Sequence, residues 1–302
     1  MKRQSIFLLI ALLLASGLGL NVNAQETDIL DGAFVREHVP KREPVPYQHV
    51  READAMYSKK ILRKIDLDEK INHVLYFPLQ PMDYPAGKQP DRQRVNLTYL
   101  MYDIGALSPS ENQRKPIFTF DPNDFTNWYK KPIPLDDTTA RKEVLTYSEE
   151  AQIRDTITGE LVNVTRQRTI NKRDVKSVIL WEEWFFDKQR SVMDVRIIAM
   201  APVATYTNLR GENFTRRLFW IYFPHYRDLF AKYEVFNTLN DSERRTFDDI
   251  FFKRRFESYV ILESNVYDNR FIRDYLLGID AMHEGKRIEE ELFRYEHDLW
   301  EY

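Results

Sequence analysis

The spacing of apolar positions divides the chain into stretches of different period. The first, Ile6 to Leu20, is almost wholly apolar, follows Lys2 and Arg3, and leads into the small-residue cleavage signature Val22-Asn23-Ala24. A run of about 15 apolar residues falls short of the roughly 20 that a spanning helix needs, so residues 1–24 are expected to be a secretory signal peptide. Residues 25–50 carry Pro40, Pro44 and Pro46 with charges around them and no sustained period, the pattern of an extended arm or a linker. From Arg51 to Ile71, Tyr57, Ile61 and Ile65 recur every fourth residue with Lys59, Lys60, Arg63 and Lys64 between them, and no Gly or Pro intervenes. That spacing predicts an amphipathic helix with a basic flank. A second, weaker helical pattern covers Val95 to Leu107. Prolines at 78, 81, 85, 90, 122, 132 and 134 break the remainder, which makes 51–140 a helical and loop-rich region.

Residues 141–302 read as an α+β core with C-terminal helices. Gln152–Thr158 and Glu160–Thr165 flank Thr158-Gly159, a hairpin signal. The strongest pair follows: Val175–Asp187, rich in Val, Ile, Trp and Phe, then the polar turn Lys188-Gln189-Arg190. After it, Ser191–Val203 alternates Met193, Val195, Ile197, Ala199 and Ala201 on one expected face. Arg217–Phe223 reads as one more buried strand ending at Pro224. Further on, Thr246-Phe247-Asp248-Asp249 has the form of a capping box. The last helix places Ile288, Leu292, Tyr295, Leu299 and Tyr302 on one side, a face to be covered by its own domain or by a neighbouring subunit. The expected fold class is thus α+β: an antiparallel sheet with packed helices, preceded by the arm and a helical N-terminal region.

Composition narrows the chemistry. The chain has 302 residues, 43% hydrophobic and 30% charged, a formal charge of −3, and no cysteine. A disulfide framework, a thiolate metal site, a catalytic thiol and a lipidated N-terminal Cys are all excluded by that last fact. The mildly acidic balance offers no footprint for nucleic acid. Six histidines form no H-E-x-x-H, and His283-Glu284 has no second His four residues on; His225, among aromatics, reads as a boundary residue. No nucleophile elbow, Walker A loop or G-x-G-x-x-G occurs. The tempting acids are Glu182 and Glu183 in Trp181-Glu182-Glu183-Trp184, which a glycan-active enzyme would use as a pair. On a strand they point to opposite faces, so each is expected to need its own basic partner, such as Arg196. No catalytic residue, cofactor or metal is expected.

The block Asp174-Val175-Lys176-Ser177-Val178-Ile179-Leu180-Trp181-Glu182-Glu183-Trp184-Phe185-Phe186-Asp187-Lys188-Gln189-Arg190-Ser191, continuing into Val195–Pro202, resembles the GldN/PorN family. Ile65–His73 and Arg216–Pro224 fit the same pattern in order. The resemblance implies a non-enzymatic periplasmic subunit of the type IX secretion and gliding machinery of Bacteroidetes. It also implies partners: an outer-membrane lipoprotein of the GldK/PorK type, with which it would share a ring, and the periplasmic domain of the GldM/PorM type. The family brings no catalytic motif. Candidate partner-binding residues are therefore chosen by residue type: Pro44, Pro46 and Tyr47 in the arm; Lys253, Arg254 and Arg255, a basic patch between Phe252 and Phe256; and Tyr295, Leu299 and Tyr302 in the last helix. The alternatives are a periplasmic glycan-active enzyme using Glu182 or Glu183, and a periplasmic chaperone.

Overall fold

A computed structural model describes residues 42–79, 95–108, 111–119, 133–154, 161–208, 211–240 and 243–298. The expected signal peptide, the first part of the arm, the Thr158-Gly159 turn, Leu299 and Tyr302 lie outside them. The described strands are β1 (Ala55–Asp66), β2 (Ile117–Thr119), β3 (Ile133–Pro134), β4 (Thr146–Arg154), β5 (Leu161–Thr169), β6 (Val175–Asp187), β7 (Val192–Thr207), β8 (Asn213–Arg217), β9 (Trp220–Tyr222), β10 (Glu234–Val235), β11 (Arg245–Thr246) and β12 (Tyr259–Glu263). The helices are α1 (His73–Tyr76), α2 (Leu97–Tyr99, continued as a π-helix over Leu100–Ala106), α3 (Thr138–Glu143), α4 (Phe223–Lys232), α5 (Phe247–Phe252) and α6 (Ile279–Asp298).

One antiparallel sheet dominates, in the order β12-β1-β6-β7-β9-β2-β3, with β8 also paired to β7. The α+β class expected from the sequence is the class observed. At its centre is the predicted hairpin, β6 against β7. Its turn is held by Asp187, whose carboxylate accepts from Gln189 N at 2.9 Å and Arg190 Nε at 2.7 Å. The Arg190 hydrogen bond holds the Asp187 carboxyl below its ordinary range. A lowered native value means the contribution is present above about pH 4 and is lost as pH falls through that value. Asp187→Asn should therefore flatten the acid limb of a stability-versus-pH curve while leaving the neutral region's slope unchanged.

The helix expected over Arg51–Ile71 is instead a short 3-10 turn at Glu52–Asp54 followed by β1. β1 runs between β6 and β12, and Ile61, Leu62 and Ile65 are fully buried. A spacing of four also keeps Tyr57, Ile61 and Ile65 on one face of a strand. Two of the basic residues that suggested a solvated flank are held by carboxylates: Lys59 by Glu263 at 2.6 Å, and Arg63 by Glu289 of α6.

A second departure lies in β7. Trp181 pairs with Ala199 but Glu182 pairs with Ile197, so Ile198 has no partner and the alternation reverses there. Ile197 and Met200 join Leu180 in the larger core, while Ala199, Ala201 and Val203 pack on the opposite face with Leu62 and Ile179. The strand expected over Arg217–Phe223 is likewise divided between the end of β8, β9 and the start of α4.

Helices cover one face of the sheet. α4 and α5 bring Phe223, Tyr226, Phe230, Phe247 and Phe251 onto Leu180, Ile197 and Met200. The capping box of α5 is formed: Thr246 Oγ1 accepts from Asp249 N at 3.1 Å, and the Asp249 carboxylate accepts from Thr246 N at 3.0 Å. α6 docks beside β12 through Ile288 and Leu292, which meet Ile61 and Val260. Gly285 allows that approach, since a Cβ there would sit 2.8 Å from Val260 O. Ala would favour the helix by about 1 kcal/mol, but backbone cannot swing aside as a side chain does. Gly285→Ala is expected to lose about 1–3 kcal/mol net in denaturant unfolding.

Candidate functional site

The tryptophan-rich strand β6 places its two acids as the alternation requires. Glu183 accepts from Ser58 Oγ of β1 at 2.7 Å. Glu182 points the other way, into the helix-covered face, and its side chain is 0% exposed. Its partner is not Arg196 but Arg254, 72 residues on, which donates from Nη1 to Oε1 at 2.7 Å and from Nη2 to Oε2 at 3.2 Å. Trp184 Nε1 donates to Oε2 at 3.1 Å. Arg254 follows α5 at φ +50°, a left-handed turn that aims its side chain back at the sheet. There it lies over Trp184 at 5.3 Å and Phe256 at 5.4 Å.

Such a carboxylate has its lone pairs occupied and its charge matched. A general acid or nucleophile needs access to substrate; Glu182 has none, and Glu183 stands across the sheet from it. A cavity of ≈ 260 Å³ adjoins the centre, bounded by Arg63, Trp184, Arg254, Glu289, Leu292 and Phe293. Arg63 and Glu289 bind each other across it. Among the described residues no group of three or more His, Cys, Asp or Glu is placed to hold a metal ion. His225 is exposed on the first turn of α4, its ring edge against Tyr222 at 4.8 Å.

The candidate partner-binding residues separate into two kinds. Tyr47, Arg254 and Tyr295 are engaged within the chain. The Tyr47 ring stacks on the Arg227 guanidinium at 4.2 Å and lies 5.3 Å from that of Arg196, which donates to Gln48 O. Burial raises the Tyr47 phenol, against an opposing pull from Arg227. Beneath it Arg227 grips Asp248 through two bonds of 2.9 and 3.0 Å, both side chains buried. Tyr295 stacks on Tyr57 at 4.2 Å. By contrast Pro46, Lys253 and Arg255 are exposed, and Pro44 is half-buried. The arm is thus an anchored strap over residues 42–50: Arg42 reaches Asp249 at 3.7 Å, and the Tyr47 stack fixes its middle.

Residues 50–301 match the family described as gliding motility associated protein GldN. The chain belongs to the GldN family. The match spans β1, the β6–β7 hairpin and α6, and so covers most of the chain rather than one motif. A GldN-family chain is a gliding motility associated protein, and the family is not one of known enzymes. No curated protein matches the chain. Among the described residues no helix is long and apolar enough to cross a membrane.

Two features escape sequence reasoning. The Arg254 contact depends on a backbone turn after α5, and nothing local marks it. The Arg227–Asp248 pair lies under Tyr47, and its only sequence signal is Asp248's place in the capping box, which explains Asp249 and not Asp248.

Proposed function

We propose that this GldN-family chain is a non-enzymatic periplasmic ring or scaffold subunit of the type IX secretion and gliding machinery. In this reading it binds an outer-membrane lipoprotein of the GldK/PorK type and contacts the periplasmic part of the GldM/PorM type motor. The family match carries the reading. The state of Glu182 supports it: the acid best placed by sequence for chemistry is spent on joining β6 to the turn after α5. A chain without cysteine has no thiol for N-terminal lipidation, so a lipidated partner would supply the attachment to the outer membrane.

The competing reading, a glycan-active enzyme using Glu182 or Glu183, makes an opposite forecast for a mild substitution. Glu183→Gln keeps a hydrogen-bonding group for Ser58 and removes only the charge. Cells carrying it in place of the natural chain should still export and glide. Loss of export with the protein present, folded and assembled would contradict the scaffold reading.

A further inference from the structure

We propose that the cavity where β4 meets the turn between β7 and β8 binds an organic cation, the ammonium or guanidinium head of a basic side chain or of a small amine. The site shares no residue with the Glu182–Arg254 centre, and it stands whether or not the chain is a ring subunit.

Three strands supply an aromatic wall. Tyr206 of β7 stands opposite Phe214 of β8 in the register, and their rings are nearly parallel, 6.1 Å apart at 23°. Tyr147 of β4 extends the row, its ring 4.4 Å from that of Tyr206. Arg216 Nη1 donates to Thr146 O at 2.9 Å, which clamps β4 against β8 beside the rings. Packing of the β4–β5 ribbon on the main sheet explains Tyr147 against Tyr206. It leaves Phe214, the end of the row, 45% exposed.

A polar wall faces the same space. The cavity measures ≈ 290 Å³, and Ser148, Glu149, Asn208 and Glu212 complete the lining that the three rings begin. Both acids are fixed in place. The Glu149 side chain is 8% exposed, and Arg168 of β5 donates to it from Nη1 at 3.3 Å. Glu212 ends the turn after β7, where Asn208 Nδ2 donates to Glu212 Oε2 at 2.8 Å and Glu212 N donates to Asn208 Oδ1 at 2.9 Å. Gly211, at φ +81°, lets that turn close, its N–H donating to Asn208 O at 3.1 Å. Among the described residues Glu212 accepts only from this neutral amide, so its charge faces the cavity uncompensated.

The lining sets the ligand class. It holds two carboxylates, three rings and no Lys or Arg. A ring face attracts a cation within about 6 Å of its centroid, and the attraction grows as water is excluded. Carboxylates beside the rings add charge-assisted hydrogen bonds to N–H donors. An anion meets repulsion from both acids, and a neutral ligand displaces water from them without supplying a counter-charge. Size is the second constraint. At ≈ 290 Å³ the cavity falls just under the about 300 Å³ at which pockets for drug-sized ligands begin, room for one head group.

Calorimetric titration of the purified chain with N-acetyl-arginine amide, N-acetyl-lysine amide and choline tests the site, with N-acetyl-glutamine amide and N-acetylglucosamine as neutral counterparts. At least one cation should bind saturably, and about tenfold or more tightly than either neutral compound, a difference of about 1.4 kcal/mol. Glu212→Gln and Phe214→Leu should each weaken that binding about fivefold or more. Glu290→Gln, the same loss of charge at an exposed position of α6, should leave it as it was. Glu212 and Phe214 are exposed, and unchanged thermal unfolding verifies the fold of their variants. Ring-proton shifts of Phe214 in the natural chain give a reading that needs no variant. An arginine or lysine amide that outbinds choline assigns the cation to a partner's side chain, and the reverse order assigns it to a free amine. No saturable binding of any cation by about 10 mM, equal binding of a neutral counterpart, or binding that both variants retain would each overturn the proposal.

Discussion

Arg254→Ala is expected to lower unfolding free energy by about 3–5 kcal/mol, because it removes the ion-pair partner of a carboxylate that has no exposed surface of its own. The Glu182 side chain has no exposed surface, and after the substitution it keeps only the hydrogen bond from Trp184 Nε1. The loss exceeds what an exposed pair would give, at most about 1 kcal/mol, since the penalty is that of an unpaired buried charge and not the removal of an attraction. A double replacement separates the two explanations. Glu182→Leu with Arg254→Met removes both charges, keeps apolar bulk against Trp184 and Phe256, and should recover most of the stability. Denaturant unfolding of the natural chain, the single and the double variant measures all three. A single variant within about 1 kcal/mol of the natural chain, the limit for an exposed pair, would contradict the buried geometry.

The second large effect is expected at Arg141, on α3. Its guanidinium is buried and donates to three backbone carbonyls: Leu135 O at 2.6 Å, Ala106 O at 2.7 Å and Lys115 O at 3.2 Å. Tyr102 of the π-helix donates to Arg141 O at 3.1 Å, and burial pushes that phenol up to about 12. Arg141 thereby joins the end of the π-helix, the approach to β2 and the residue after β3, segments that share no strand ladder with one another except through β2 and β3. Arg141→Met keeps the length and apolar stem but leaves those carbonyls without a donor, each unsatisfied buried acceptor costing about 1–3 kcal/mol. A total loss of about 3–5 kcal/mol is expected, with amide exchange accelerating first over residues 100–106 and 115–119. Exchange that rises uniformly across the sheet would contradict this local role.

The sequence disclosed the parts of the fold that depend on neighbours along the chain. The capping box at Thr246, the turn after Asp187 and the face of α6 carrying Ile288 and Leu292 each declare themselves within a few residues. The first strand did not. In β1 a spacing of four satisfies both a helix, at 3.6 residues per turn, and a strand, at two. Lys59 and Arg63 sit where an alternating strand would carry apolar residues, so the period-two signal was broken. Their carboxylate partners, Glu263 and Glu289, are about two hundred residues away in sequence and invisible to any local window. The bulge at Ile198 left no mark for a similar reason, since a single unpaired residue changes register without changing composition.

The candidate site was legible in the same uneven way. That Glu182 and Glu183 face opposite sides of β6 followed from strand geometry alone, and the structure agrees. The basic partner did not follow. Arg196 stands opposite Glu183 in the hairpin register, the nearest choice along the sequence, but its guanidinium serves the arm, and Arg254 reaches Glu182 only because α5 folds over the sheet. Of the proposed partner-binding residues, Tyr47 and Tyr295 were chosen as aromatic anchors and are anchors within the chain, a use that composition cannot tell from an interface.

The most direct measurement of the scaffold reading is capture of the chain from an outer-membrane extract under gentle detergent, followed by electron microscopy of what comes with it. One lipoprotein in fixed proportion to this chain is expected, with closed, repeating particles in the images. A lone chain with no lipoprotein and no assembly, or a broad set of unfolded clients in no fixed proportion, would contradict it.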